Sequence, residues 1–192
     1  MDWKKNKKII FTVVSVTLFA TVCSFRAEAA VKVNSLVAAP LPTRIIIPKA
    51  KVNASVISIG ITKEGNLDVP NNYTEAGWYK YGTLPGKIGS AVIDGHVDNG
   101  NRVPGPFKNL KLVKPGDNIY VTMGDGKMLH YSIVAAEIYD TDKFPGEYVF
   151  HESGQAYLKI ITCHGKFIRS KQTYDQRLIV KAVLVPQKNI SV

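Results

Sequence analysis

Tyr120-Val-Thr-Met-Gly-Asp-Gly-Lys-Met-Leu-His-Tyr131 reads as two short β-type runs folded back on a Gly124-Asp125-Gly126 tip. Glycine and aspartate give a tight turn the backbone freedom it needs, which makes this stretch a hairpin. The pattern repeats outward in both directions, with runs rich in β-branched and aromatic residues at 44–47, 52–59, 77–79, 90–95, 118–122, 128–139, 157–163 and 177–185. Turn residues separate them at Pro48, Pro70-Asn-Asn72, Pro85-Gly86, Pro115-Gly-Asp117 and Pro145-Gly146. A helical period is confined to 106–112, where Phe107, Leu110 and Val113 recur and predict one turn or two. Eight short strands with few helical candidates predict a mainly all-β domain, an antiparallel or mixed barrel or sandwich.

Ahead of this domain the chain changes character. Lys4, Lys5, Lys7 and Lys8 form a basic region over 1–8, and 9–25 is an uncharged, mostly apolar run. As a helix, those residues span about 25 Å, at the short end for a bilayer crossing. Ala27-Glu28-Ala29 offers a signal-cleavage site. A cleaved signal and a retained single-span anchor both place the rest of the chain outside the cytoplasm, with the basic end inside. Cys23 follows Val22 where a lipoprotein signal needs a small residue, which sets that reading aside. Residues 26–43, ending Ala38-Ala-Pro-Leu-Pro42, read as a linker, and 44–192 as the single functional domain.

The net charge is +10, and without residues 1–30 it is +7, from twenty basic and thirteen acidic residues. A basic exported domain favours anionic surroundings such as wall polymers or lipid headgroups. Its lysines are scattered and no nucleic-acid-binding signature is present, so nucleic acid is not expected as a partner.

Beyond the apolar segment Cys163 is the only cysteine. A thiol without a disulfide partner in an exported chain points to a nucleophile, although most free cysteines are small buried hydrophobes. A thiol is only a few per cent thiolate at neutral pH, so catalysis requires a base or a cation beside it. Of the four histidines, His164 adjoins Cys163 but strand alternation turns it to the opposite face. His130 lies in an alternating run and His151 in a loop; His96 ends the strand Ser90-Ala-Val-Ile-Asp-Gly95, a rim position. Arg177 opens the last strand, where its guanidinium is suited to an oxyanion or a substrate carbonyl.

The order strand-Gly-His, strand-Thr-Cys, and a strand beginning with Arg resembles the sortases, cysteine transpeptidases of Gram-positive cell surfaces. Arg44-Ile-Ile-Ile-Pro-Lys49 with Val52-Asn-Ala54 resembles the opening of that domain. Ala91-Val-Ile-Asp-Gly-His96-Val-Asp98 resembles the histidine motif, Ile161-Thr-Cys163 the cysteine motif, and Tyr174-Asp-Gln-Arg177-Leu-Ile-Val180 the arginine motif. Gly105-Pro-Phe107 through Lys114-Pro-Gly-Asp117 fits the connection after the histidine strand. Gly95-His-Val-Asp98 and Thr162-Cys163 followed by Gly165 and Phe167 are most similar to class F, although Ile160-Ile161 stand where leucine is common.

The resemblance implies an eight-stranded sortase-type β-barrel with one or two short helices behind an N-terminal apolar helix. It also implies cleavage of an LPxTG-type sorting signal between Thr and Gly. Cys163 would be the nucleophile, His96 the general acid and base, and Arg177 the oxyanion or substrate stabiliser. Thr162, Phe144 and Tyr148 would contact the signal, with residues 140–155 forming much of its binding wall. Asp98 would orient polar groups of the loop or substrate. The implied partners are exported proteins bearing such a signal and an amine acceptor, a peptidoglycan precursor or another protein. No metal or organic cofactor is implied. Alternatives are an L,D-transpeptidase, whose glycine before the cysteine is replaced here by Thr162, and a non-catalytic wall-binding module, which has no need of all three groups.

Overall fold

The computed structural model describes residues 39–100 and 103–186. The basic region over 1–8 and the apolar run over 9–25 lie outside the described residues. Within those residues no helix is long and apolar enough to cross a membrane.

Eight strands form in chain order: β1 (Pro42–Ile47), β2 (Val52–Ile59), β3 (Ala76–Tyr79), β4 (Gly89–Gly95), β5 (Asn118–Met123), β6 (Met128–Asp140), β7 (Ala156–Ile168) and β8 (Thr173–Leu184). They close into a barrel in the order β1-β2-β3-β4-β7-β8-β6-β5, with β5 returning to β1. The β2–β3 and β4–β7 pairs are parallel and all others antiparallel. The hairpin tip joins β5 and β6 as the sequence predicts, with Val121 opposite Leu129. β1 opens at Pro42, inside the stretch read as linker.

Alternation governs β5 and most of β1 and β2, broken at Thr43-Arg44 and at Ile57-Ser58, and the inward residues Ile45, Ile47, Val52, Ala54, Val56, Ile119, Val121 and Met123 are buried. Closing the sheet into a barrel lets these inner faces fill one core. In β4, β7 and β8 alternation fails because both faces are covered. Ala91, Ile93, Leu158, Ile160, Leu178 and Val180 enter the barrel core. Val92, Ile161 and Ile179 instead form an outer cluster with Val149, against which Leu67, Phe144, Tyr148 and Phe150 pack. A strand buried on both sides reads as a continuous apolar run.

The cover is the β6–β7 connection, which contains α1 (Gly146–Phe150). No helical period in the sequence predicts a helix there. The helical expectation falls on 106–112, which is a series of turns with a single 3-10 turn over Leu110–Leu112. Pro106 and Asn109 favour turns, and the buried Phe107 and Leu110 anchor the segment by packing rather than by a continued helix.

One charged side chain lies inside this outer layer. Lys159 of β7 is 0% exposed. Its Nζ donates to the Tyr148 carbonyl and to Glu152, and lies 3.5 Å from the centroid of the Tyr148 ring. Lys181 of β8 donates to the other Glu152 oxygen. Burial holds Lys159 below the usual lysine range, against the hydrogen bond and charge of Glu152 that pull it up. Burial disfavours the Glu152 carboxylate too, but the two lysine hydrogen bonds outweigh it and keep that carboxyl below its ordinary value. The triad ties α1 and the residues after it to the barrel wall.

Removing one partner from a buried ionic group costs far more than exchanging it for a hydrophobe. Glu152→Gln, which leaves two lysines facing each other, is expected to lose about 3 kcal/mol in urea unfolding. Lys159→Met, which leaves the Glu152–Lys181 pair intact, is expected to lose about 1 kcal/mol or less. The reverse order would show that the triad does not hold the segment.

Candidate active site

The outer face of β4, β7 and β8 carries the candidate residues. Cys163 and Arg177 are direct partners in the antiparallel β7–β8 ladder, so their side chains share one face. In the parallel β4–β7 ladder Asp94 pairs with Ile161. Two residues further on stand Cys163 in β7 and, just past the end of β4, His96. Asp94, His96, Cys163 and Arg177 all line one cavity on this side.

His96 is fixed from two directions. Its Nε2 lies 3.0 Å from the Pro70 carbonyl, and its ring sits on Tyr73 with centroids 4.4 Å apart. A carbonyl only accepts, so Nε2 carries the proton in this contact and Nδ1 is the nitrogen left for proton exchange. The backbone of His96 is gripped from behind by Gly105, where a Cβ would stand 2.3 Å from the His96 carbonyl oxygen. Only glycine permits that approach.

Arg177 is held by its own end of the barrel. Nη1 donates to Thr141 Oγ1 and to the carbonyls of Tyr174 and Gln176, at 3.2, 3.0 and 2.9 Å, and Nη2 donates to Thr173 Oγ1 at 3.0 Å. None of these partners is a carboxylate, so the guanidinium is positioned without being neutralised. Beyond Cys163 the β7 strand bulges at Gly165, with φ of 83°, and the Lys166 amide donates to Asp175 at 2.7 Å.

Cys163 is half-buried and is the only free cysteine among the described residues. Burial pushes its thiol above the ordinary value; Arg177 pulls it down, and Asp94 and Asp98 push it up. Burial also lifts the Asp94 carboxyl up to about 7, against the Gly95 amide and the Arg177 charge. The thiol is thus neutral at rest near pH 7, and a base must take its proton for it to attack.

Two cavities meet at Cys163. One, about 410 Å³, is bounded by Asp94, His96, Phe144, Phe150, Arg177 and the 65–69 segment. The other, about 340 Å³, is bounded by Asp98, Lys108, Lys111, His164 and Tyr174. Tyr174 donates to Asp98 at 2.7 Å across this second cavity. Burial, with the hydrogen bond and charge of Asp98, pushes the Tyr174 hydroxyl up to about 12, so it remains a donor.

Of the residues singled out in the sequence, Cys163, His96, Arg177 and Phe144 line the first cavity together. His164 lines the other. Thr162 is buried, and its hydroxyl donates to the Gly95 carbonyl at 2.8 Å, which joins β7 to β4 instead of facing the first cavity. Tyr148 packs over Lys159 and donates to Glu137 at 3.2 Å, and so serves the outer cluster. Asp98 is committed to Tyr174 and to the Gly100 amide. Among the described residues no group of three or more His, Cys, Asp or Glu is gathered for a metal ion.

Asp94, Pro70 and Tyr73 are site residues that the sequence motifs did not single out. Asp94 was within reach, since it stands two residues before His96 at the end of β4. Pro70 and Tyr73 come from the β2–β3 connection, and nothing in their own sequence marks a contact with His96.

The family model for the sortase domain matches residues 45–185. No curated protein matches the chain. Among solved structures the chain is similar to sortase C-1 from Actinomyces oris, at 24% identity over 76% of this chain and 72% of that one, with a TM-score of 0.58. It is also similar to Streptococcus agalactiae sortase C1 in complex with MTSET, at 21% identity over 77% and 70%, TM-score 0.59. A lid mutant of sortase A from Corynebacterium diphtheriae aligns at 22% identity over 80% and 74%, TM-score 0.59. These structural likenesses bear on the fold, and they agree with the barrel order described above. The match of the sortase domain along almost the whole barrel, over the strands that carry His96, Cys163 and Arg177, places this chain in the sortase family.

Proposed function

We propose that this sortase is a class F-type cysteine transpeptidase that cleaves an LPxTG-type signal between Thr and Gly and transfers the acyl part to an amine. The observation that carries the reading is the opposition of Cys163 and Arg177 across β7 and β8, in one groove with His96. The class label rests on Gly95-His-Val-Asp98 and on the Thr162-Cys163 pair with Gly165 and Phe167. Family membership removes the L,D-transpeptidase alternative.

In this reading Nδ1 of His96 takes the Cys163 proton as Sγ bonds to the Thr carbonyl carbon. The carbonyl electrons move to oxygen, and Arg177 donates to that oxyanion. Nη1 already serves three acceptors, so the donors for it are Nε and Nη2. Collapse breaks the Thr–Gly bond, and His96 returns its proton to the leaving amine. The acceptor amine then attacks the thioester, His96 takes its excess proton, and an amide forms as the thiol is restored. Water in place of the amine gives hydrolysis. Phe144 and Phe150 supply an apolar wall suited to the Leu and Pro side chains. The 9–25 segment holds the domain outside the membrane, near exported substrates and wall-precursor amines.

Distinct tasks predict distinct losses. With an LPxTG-type peptide and a glycine-based amine, mass spectrometry should find neither acyl-enzyme nor product for Cys163→Ala. His96→Ala should be nearly as severe. Arg177→Lys keeps the charge but not the planar fork, and should lose about 10²-fold in kcat/KM. His164→Ala should be mild. Equal damage from His164→Ala and His96→Ala in folded protein would withdraw the assignment of the general acid.

The charges around the thiol predict a second result, read from the pH dependence of Cys163 alkylation by iodoacetamide. A negative neighbour disfavours the thiolate, so Asp94→Asn should move the alkylation profile to lower pH. A positive neighbour favours it, so Arg177→Gln should move the profile to higher pH. Shifts in the opposite directions would remove Asp94 and Arg177 from the electrostatics of Cys163.

A further inference from the structure

The groove does not end at Phe150. A third cavity, about 460 Å³, shares Gly65, Leu67 and Phe150 with the cavity that holds His96, Cys163 and Arg177. It continues from these shared residues to Ile61, Tyr79 and Tyr81. Tyr79 stands edge-on to both Tyr81 and Phe150, with centroids 6.0 and 5.4 Å apart, so the three rings form a continuous ledge. Tyr81 is 68% exposed and Ile61 50%. Val69 and Tyr73, also exposed, stand on the same β2–β3 segment nearer the cysteine. A contiguous row of exposed apolar side chains along one wall marks a binding surface.

We propose that this third cavity is a subsite for the polypeptide immediately N-terminal to the cleaved signal, and that it selects an aliphatic or aromatic side chain there. The inference rests on the transpeptidase reading. A chain bound through its acyl half at Cys163 has to leave the groove at one end. The exit on the far side of Cys163 is lined by Asp98, Lys108 and Lys111 and is charged. The exit past Leu67 and Phe150 is apolar and continues the surface that suits Leu and Pro. At its edge His151 is engaged by Glu147 at 2.9 Å, and the Lys80 ammonium lies against the Tyr81 ring, 5.1 Å from its centroid, so the lining that remains for an occupant is mainly apolar and aromatic. An extended peptide advances about 3.3 Å per residue, so three residues ahead of the signal cover about 10 Å. An aromatic ledge offers such a chain large contact area at low entropic cost.

The test uses the full-length protein and three capped peptides: the bare LPxTG-type signal, the signal preceded by Ala-Phe-Ala, and the signal preceded by Ala-Asp-Ala. The expected result is a kcat/KM gain of about tenfold for the Phe extension over the bare signal, mainly through KM, and none for the Asp extension. Tyr81→Ala and Ile61→Ser should each erase most of that gain. Equal turnover of all three peptides by the wild type would overturn the proposal. So would an equal loss on bare and Phe-extended peptides in Tyr81→Ala, which would assign the cavity to the signal itself. A change in sedimentation of Tyr81→Ala with unaltered peptide kinetics would assign it to a second copy of the chain and overturn the proposal as well. Cleavage of no peptide by the wild type would sink the transpeptidase reading, and the subsite with it.

Discussion

The antiparallel register of β7 on β8 is the constraint on which the rest depends. It sets Cys163 opposite Arg177 and, two residues away, Ile161 opposite Ile179. A slip of one residue would turn the thiol into the barrel and bring Thr162 to the groove. The register is over-determined. Leu158, Ile160, Leu178 and Val180 fix it from inside the barrel, and Val92, Ile161 and Ile179 fix it from outside. The hydroxyl of Thr162 adds a hydrogen bond to the Gly95 carbonyl, directly before His96, so the strands bearing nucleophile and histidine are joined at the residues that matter.

Covering the outer face has an electrostatic consequence. The same burial that makes β4, β7 and β8 rigid raises the Cys163 thiol and the Asp94 carboxyl. Arg177 is the opposing charge, and it is tied to the carbonyls of Tyr174 and Gln176 and to two threonine hydroxyls rather than to a carboxylate. Its field therefore reaches the thiol undiminished by a tight ion pair. A site of this kind holds a neutral thiol until a base acts, which limits adventitious oxidation of a half-buried cysteine.

Short-range pattern made the fold readable. The Gly124-Asp125-Gly126 tip, the eight runs and the turn residues between them correspond to the eight strands, because period-two alternation and turn chemistry act locally. The turn expected over 106–112 forms as a single 3-10 turn at Leu110–Leu112, whereas α1 went unread. Phe107 and Leu110 pack into the barrel core from a chain of turns, while α1 is held by outer-face partners, Val92, Ile161 and Ile179, that a local window does not contain. The candidate site was legible through motif order, yet Tyr148 belongs to the outer cluster, held by Lys159 and Glu137, and Thr162 borders only the second cavity, its hydroxyl bonded to the Gly95 carbonyl. Lys159 shows the limit well. Its sequence neighbours are those of a solvent-facing lysine, and only the Glu152 carboxylate, the Tyr148 carbonyl and the Tyr148 ring explain its burial.

That lysine links packing to the groove. Along the outer face of β7 the side chains at 159, 161 and 163 point the same way: an ammonium, an apolar side chain and a thiol. The first pins the segment containing α1, the second packs beneath it, and the third faces the cavity whose wall the segment supplies through Phe144, Gly146 and Phe150. A five-residue helix has too few hydrogen bonds to stand alone. Its position relative to Cys163 is therefore set by an ionic anchor at one end and an apolar contact in the middle. The wall of the groove inherits its placement from the same strand that carries the nucleophile, so the groove wall and the thiol are positioned together by a few residues of β7.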